Sequence, residues 1–303
     1  MNVHLRSTAP GFSEAAYLEA NPAIAAAVAR GDARSGWHHY LAHGSRESLT
    51  GVPAETAIAV NAVREALGRG SLEPLPPAAL RQRVHGSSDA ATFEQVGFGL
   101  ASDIYYMASS VSDLPAGGSV LDFGCGCGRV ARYLTKLLPE AEYVGVDIDA
   151  AAVAWSAEHL SHLGVYRCNE AEPPLDFPSD RFDLVVAVSV FSHLPVTMQH
   201  RWLAELARVT KPGGVALMTT LGTSAFQPRR PGERARIDRD GFCYRIGRGT
   251  RGLPLFYQTM FVTEAYVRAE WARYLQVVDV IPGAIGGLQD AVLCRKAGSA
   301  GAA

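Results

Sequence analysis

Between Ser119 and about Leu221, short β-branched runs alternate with stretches of helical period. A strand that rejoins its sheet through a helix must run parallel to its neighbour, so this alternation predicts βαβ units. The expected strands are "SVLDF", "EYVGVD", "VYRC", the continuously apolar "FDLVVAVSV" and "VALMTTL". Between them, "GRVARYLTKLLP" reads as a helix burying Val130, Leu134 and Leu137 and stopped by Pro139. "AAAVAWSAEHLSH" and "TMQHRWLAELARVT" are the next helices; the latter turns Met198, Trp202, Leu206 and Val209 inward and is expected to end at Pro212-Gly213-Gly214. Further on, "TEAYVRAEWARYL" is a helix capped by Thr263, and "QVVDVI" and "AVLCRK" are the last strands. Residues 117–303 are therefore expected to form a seven-stranded, mostly parallel α/β sheet with helices on both faces. Within them, 222–262 form an irregular insert on the acceptor side.

The chain before this sheet has a different texture. Residues 1–72 read as a small all-α module. Asn21 can cap a helix from Pro22 to Gly31, "SGWHHYLAHGSRE" is a second helix ended by Gly44, and "PAETAIAVNAVREALGRG" is a third. In the third, Ile58, Ala62, Val63 and Ala66 fall on one side. "SLEPLPP" is a linker, and residues 73–116 form a lead-in whose "FEQVGFGLASDIYYMASSV" is a helix laid against the sheet domain.

Bulk properties exclude several classes. A formal charge of −2 over 303 residues gives no global pull toward nucleic acid or anionic membrane, and the longest strongly apolar run is too short to span a bilayer. The first residues lack a signal-peptide pattern, and five cysteines, an odd number, do not make a disulfide scaffold, so a reducing cytoplasm is expected.

The loop "VLDFGCGCGR", Val120 to Arg129, carries the chemistry. Cys125 and Cys127 invite a metal reading, but zinc needs about four ligands and no second cysteine or histidine pair accompanies them; no metal is expected. Gly124, Gly126 and Gly128 lie between a strand and a helix, where bare backbone can approach a ligand closely. Their GxGxG spacing differs from the GxGxxG of a dinucleotide fingerprint, which disfavours a nicotinamide oxidoreductase. Asp122 precedes the glycines, where it can face a positive ligand group. Asp147 ends the next strand about 20 residues on, where a carboxylate can hold ribose hydroxyls.

The ordered set "VLDFGCGCGR", "VGVDID", "FDLVVAVSVFSHL" and "LARVTKPGG" resembles the class I S-adenosylmethionine-dependent methyltransferases over roughly residues 117–296. The resemblance implies a Rossmann-like fold and S-adenosyl-L-methionine as cofactor. It implies that the loop of Gly124, Cys125 and Gly126 cradles the methionine moiety and that Asp147 binds the ribose. Ile148 would lie on the adenine. Asn169 and Glu170 stand where the family carries an acid near the adenine edge, and Ser189 or Val190, leaving the fourth strand, would line the sulfonium.

Methyl transfer to a hydroxyl needs alignment and a base. His193 falls at the carboxyl end of the fourth strand, and its pKa range suits that role; it can equally cap or pack against the next helix. "PRRPGERARIDRDGFCYRIGRGTRG" carries Arg229, Arg230, Arg234, Arg236, Arg239, Arg245, Arg248 and Arg251, a local positive patch for an anionic acceptor or else a solvated loop. "RVHGSSDAATFEQVG", with His85 and Phe93, is a lid or a buttress, and Tyr244, Tyr257 and Phe261 offer an aromatic floor or core. The N-terminal "YLEANPAIAAAVARGDARSGWHHYLAHGSRES" resembles a helical module of bacterial surface-polysaccharide proteins, with Ser48 near its end. His38, His39 and His43 within it are not spaced to share one face. These readings lead to methyl transfer onto a hydroxyl of a sugar or glycan precursor in cell-surface polysaccharide synthesis, with docking to glycan-synthesis proteins through the module. A natural-product or small-molecule methyltransferase is the alternative within enzymes, and a catalytically silent cofactor-binding protein the alternative outside them.

Overall fold

The structure is a computed structural model describing residues 13–43, 54–112, 114–115, 117–247 and 253–298. Six helices come first: α1 (Glu14–Ala20), α2 (Pro22–Arg30), α3 (Gly36–His43), α4 (Ala54–Gly68), α5 (Ala78–His85) and α6 (Ala90–Val111). The alternating part follows as β1 (Ser119–Phe123), α7 (Ala131–Leu137), β2 (Glu142–Asp147), α8 (Ala150–His159), β3 (Val165–Cys168), β4 (Phe182–Ala187), α9 (Val196–Val209) and β5 (Thr210–Thr220). Then come α10 (Glu233–Asp240), β6 (Phe242–Arg245), β7 (Thr259–Val262), α11 (Glu264–Glu270), β8 (Gln276–Ile285) and β9 (Gln289–Arg295).

Seven strands form one sheet in the order β3-β2-β1-β4-β5-β9-β8. The first five pair in parallel, and β9 runs antiparallel to both its neighbours, β5 and β8. Progression from β1 goes outward through β2 and β3, then resumes on the other side at β4. That reversal opens a crevice beyond the carboxyl ends of β1 and β4, where ligands of open α/β sheets bind. The central strands are apolar on both faces because helices cover both; Leu184, Val185, Val186 and Ala187 of β4 are fully buried.

The expected strands and helices all form, with three local differences. β4 ends at Ala187, not Val190, because Ser189 adopts a left-handed φ of 60° and turns the chain out of the sheet. α9 ends at Val209, where Thr210 donates its hydroxyl to the Leu206 carbonyl (2.6 Å), and Pro212-Gly213-Gly214 lie inside β5. There the pairing with β4 jumps from Phe182 opposite Thr210 to Leu184 opposite Val215. In α4 the buried positions are Val60 and Val63, whereas Ile58 is 68% exposed and Ala62 faces solvent; the helix presents a different stripe from the one expected.

The N-terminal helices share the sheet's core. Tyr17, Tyr40 and Leu41 are buried in the same cluster as Tyr106, Leu134 and Leu217, and Tyr40 meets Tyr106 edge-on at 5.5 Å. Arg34 pairs with Glu264 (2.6 Å) and His38 with Asp279 (2.9 Å), tying this region to α11 and β8. His39 instead meets the Tyr17 hydroxyl at 3.0 Å, so the three histidines do not converge. The expected ends at Gly44 and Ser48 lie outside the described residues. The insert forms an antiparallel pair, β6 with β7, joined to the main body by a bridge between Leu221 and Phe261. Among the described residues no helix is long and apolar enough to cross a membrane.

Candidate active site

The loop after β1 is clamped onto the end of β2. Gly124 and Cys125 both donate their amides to the Val146 carbonyl (2.8 and 3.1 Å), and Gly126 donates to Asp147 Oδ2 at 2.7 Å. Asp147 Oδ1 accepts the Asp149 amide at 2.8 Å. Gly124 and Gly126 have φ of 84° and 54°, a region open to glycine at little cost. A Cβ on Gly124 would lie 2.3 Å from Val190 Cγ2, and one on Gly126 would lie 2.8 Å from Val84 Cγ2. The loop therefore admits no side chain at either point, and its backbone forms the floor of a cavity.

That cavity is open to solvent and sits at the crevice between β1, β2 and β4. Part of its wall is polar: Asp147, Asn169 and Arg129 reach it beside Gly124, Gly126 and Ile148. Burial raises the pKa of Asp147, against the opposing effect of the Asp149 and Gly126 amides. Asn169 donates Nδ2 to the Glu170 carbonyl (2.7 Å), which leaves its buried Oδ1 without a partner. Buried Arg129 Nε also lacks a partner, while Nη1 lies 3.2 Å from His85 Nδ1. Burial lowers the pKa of Arg129. An unsatisfied acceptor and an unsatisfied cationic donor in one cavity are two polar demands that a ligand can meet.

Other parts of the wall are apolar, among them Val190, Leu194, Leu253, Phe256 and Tyr257, and Ser189 lines it too.

Of the expected site residues, Gly124, Gly126, Asp147, Ile148, Asn169 and Ser189 line this cavity. Asp122 does not. Successive strand residues point to opposite faces, and it is Phe123 that reaches the wall. Asp122 lies beneath the loop, 1% exposed, and accepts the Tyr143 hydroxyl; burial pushes its pKa up to about 7. Cys125 is also off the wall: a Cβ built on Gly145 would lie 2.9 Å from its Sγ, so the thiol packs against β2. Burial pushes the Cys125 thiol well up and that of Cys127 to about 12, so both stay protonated. Among the described residues no group of histidine, cysteine or acidic side chains is arranged to hold a metal ion. Glu170 is exposed and off the wall, since the chain turns after β3 and only Asn169 faces inward.

His193 also stands off the wall. Its ring stacks behind Tyr257 at 4.2 Å, and Nδ1–H donates to the Gln258 carbonyl at 2.7 Å. Burial lowers its pKa. The lid-or-buttress segment divides: Arg83 and Val84 reach the cavity, with Arg83 paired to Asp149 at 2.6 Å, whereas Phe93 is fully buried. Of the expected aromatic floor only Tyr257 is present; the Tyr244 hydroxyl is bound to the Phe256 carbonyl and Phe261 is buried with Phe226.

Three of the six described arginines of the segment are paired within it. Arg245 binds Glu233 at 2.8 Å and lies 4.7 Å over Phe261, Arg239 binds Asp240 at 2.7 Å, and Arg234 is 3.9 Å from Asp238. None of the described arginines in it lines the cavity, and Arg248 and Arg251 lie outside the described residues. Arg83, Arg129, Leu253 and Phe256 were not marked as site residues by the sequence. Arg129 alone had a signal, as the first residue after the glycine loop.

Residues 120–214 match the family model described as "Methyltransferase domain". The ubiquinone biosynthesis O-methyltransferase of Rhodopseudomonas palustris (strain BisB18) is 39% identical over 109 residues, 35% of this chain and 41% of that protein. The phthiotriol/phenolphthiotriol dimycocerosates methyltransferase 1 of Mycobacterium ulcerans is 32% identical over 122 residues, 40% of this chain and 44% of that protein. The chain thus spans about two fifths of the length of these relatives. Among solved structures, the 1,6-didemethyltoxoflavin-N1-methyltransferase of Burkholderia thailandensis is 17% identical, with a TM-score of 0.49 over 81% of this chain and 91% of that one. The likeness to a methyltransferase domain thus rests on residues 120–214.

Proposed function

We propose that the chain, with this domain at its centre, transfers the methyl group of S-adenosylmethionine to a hydroxyl of a small molecule with an apolar or aromatic body. The observation that carries the reading is one cavity whose wall combines unsatisfied polar groups, Asn169 Oδ1 and Arg129 Nε, with apolar side chains. Asp147 would accept the ribose hydroxyls, Ile148 would pack on the adenine, Asn169 Oδ1 would accept its amino hydrogen, and Arg129 would bind the carboxylate. When bound, the cofactor supplies an electrophilic methyl on a sulfonium. The apolar side chains exclude water and hold the acceptor's body in line.

This wall favours a phenolic or similar small molecule over the sugar expected from the sequence. A sugar ring needs polar partners for its hydroxyls, and Leu194, Leu253 and Phe256 offer none by their side chains. The two relatives named above are a ubiquinone and a phthiotriol methyltransferase, which supports the same preference. Incubating the protein with labelled cofactor and parallel panels of phenols and nucleotide-sugars tests it. Label entering a phenol is the expected result; label entering only sugars, or none entering any acceptor while the cofactor binds, contradicts the reading.

His193 serves here as a positioning residue that holds Tyr257 against the cavity. His193→Ala is expected to lower turnover about tenfold, while His193→Phe, which keeps a flat ring in the stack, stays within about fivefold of the parent. A base would behave differently. Its lowered pKa would make the rate climb with pH through a midpoint below the ordinary histidine value, and both variants would lose that inflection together.

A further inference from the structure

Ser189 is held more completely than a turn residue needs to be. It is one of two non-glycine residues with positive φ among those described, and such a conformation costs of order 1–3 kcal/mol unless its surroundings fix it. Three side chains from three separate segments do so. The Ser189 amide donates to Thr219 Oγ1 on β5 (2.7 Å), the Thr219 hydroxyl donates to Gln289 Oε1, and Gln289 Nε2, at the start of β9, donates back to Ser189 Oγ (2.7 Å). The three bonds close a ring. A fourth comes from outside it, where the Tyr257 hydroxyl donates to the Ser189 carbonyl at 3.2 Å.

The Ser189 amide can only donate, so Thr219 Oγ1 accepts from it and keeps its own hydrogen for Gln289 Oε1, while Gln289 Nε2 serves Ser189 Oγ. The ring thereby fixes the wall of the cavity at Ser189.

We infer that Gln289 and Thr219 are positioning residues, and that their hydrogen-bonded ring through Ser189 sets the wall against which the reacting end of the cofactor rests. The inference rests on the cofactor reading proposed above. The adenosine half of that cofactor would lie at the ends of β2 and β3, beside Asp147, Ile148 and Asn169, whereas the ring spans β4, β5 and β9 on the other side of β1. Loss of the ring therefore acts on one half of the ligand and spares the other.

Calorimetric titration with two probes, S-adenosylmethionine and adenosine, separates the possibilities. Gln289→Leu is expected to weaken S-adenosylmethionine about tenfold and to leave adenosine within twofold of the parent protein. Gln289→Glu should recover most of the loss, since a carboxylate can accept from Thr219 and also from a reversed Ser189 hydroxyl. Thr219→Val and Thr219→Ser form a second pair with the same expectation, loss and recovery. Melting temperatures of all four variants show which of them are folded enough to compare, and either pair alone decides the question. Equal weakening of both probes would mean general loosening and would overturn the inference, as would a Gln289→Leu protein indistinguishable from the parent. A parent protein that binds neither probe would instead remove the cofactor reading, and the inference with it.

Discussion

Replacing Asp147 by alanine is expected to weaken S-adenosylmethionine binding by at least about a hundredfold. The carboxylate has two tasks, and the substitution removes both. In the free protein it satisfies the amides of Gly126 and Asp149, and a buried amide left unpaired costs about 1–3 kcal/mol. In the complex it would also accept ribose hydroxyls, and hydrogen bonds to a charged group contribute about 1.5–3 kcal/mol each. The amide cost falls on folding, whereas loss of two bonds to the ribose, about 3–6 kcal/mol, exceeds the roughly 2.7 kcal/mol that corresponds to a hundredfold change in affinity. The same residue gives the binding a pH dependence. Burial raises its pKa, and the hydroxyls favour the ionised form, so affinity should be highest above that pKa and decline as pH falls through it. Calorimetry at several pH values, with proton release followed by buffer variation, checks both points. An Asp147→Ala protein that binds within fivefold of the parent would show that the carboxylate does not face the ligand.

Gly124→Ala is expected to damage the fold and the site together. The new Cβ would have to adopt a φ of 84° and would stand 2.3 Å from Val190 Cγ2, which itself lines the cavity. The backbone strain costs of order 1–3 kcal/mol, and forcing a methyl into a packed contact costs a further 1–3 kcal/mol or so. A loss of about 3 kcal/mol corresponds to a melting point roughly 6–12 °C lower for a protein of this size. Relief of the clash must move Val190 or the loop, and either movement alters the cavity, so cofactor affinity should fall at least tenfold in the molecules that remain folded. Gly31→Ala is the useful comparison. Gly31 has a φ of 78° but nothing within 4 Å of its would-be Cβ, so it should show the backbone penalty without the loss of binding.

The sheet was legible in the sequence because period-2 and period-3.6 patterns report burial directly. The run "FDLVVAVSV" could be read as a strand covered on both faces, and Met198, Trp202, Leu206 and Val209 as one helix stripe, with no knowledge of what they touch. The polar part of the wall was legible for the same kind of reason: a glycine loop and an acid at the next strand end are fixed to the crevice by topology. Side-chain direction was harder. Asp122 and Glu170 sit one residue from positions that do reach the cavity, and a one-residue difference at a strand end exchanges wall for core or solvent.

The apolar part of the wall was least legible. Leu253, Phe256 and Tyr257 come from the insert, whose route over the sheet is set by the β6–β7 pairing and by the stack of His193 on Tyr257, and no periodicity encodes that. The arginine segment was only partly legible for a related reason: Glu233, Asp238 and Asp240 fold back among its charges and take three of the arginines as partners. Gln289 gave no signal at all, because its partner Ser189 is a hundred residues away and the two meet only where β9 lies beside β5.

The most direct test of this account is a calorimetric titration of the folded parent protein with S-adenosylmethionine, with NAD as the comparison ligand. Saturable binding at about one molecule per chain in the micromolar range, with no heat from NAD, is the predicted result. Absence of heat and of any rise in melting temperature at millimolar S-adenosylmethionine would contradict it, and heat from NAD alone would point to a different use of the same glycine loop.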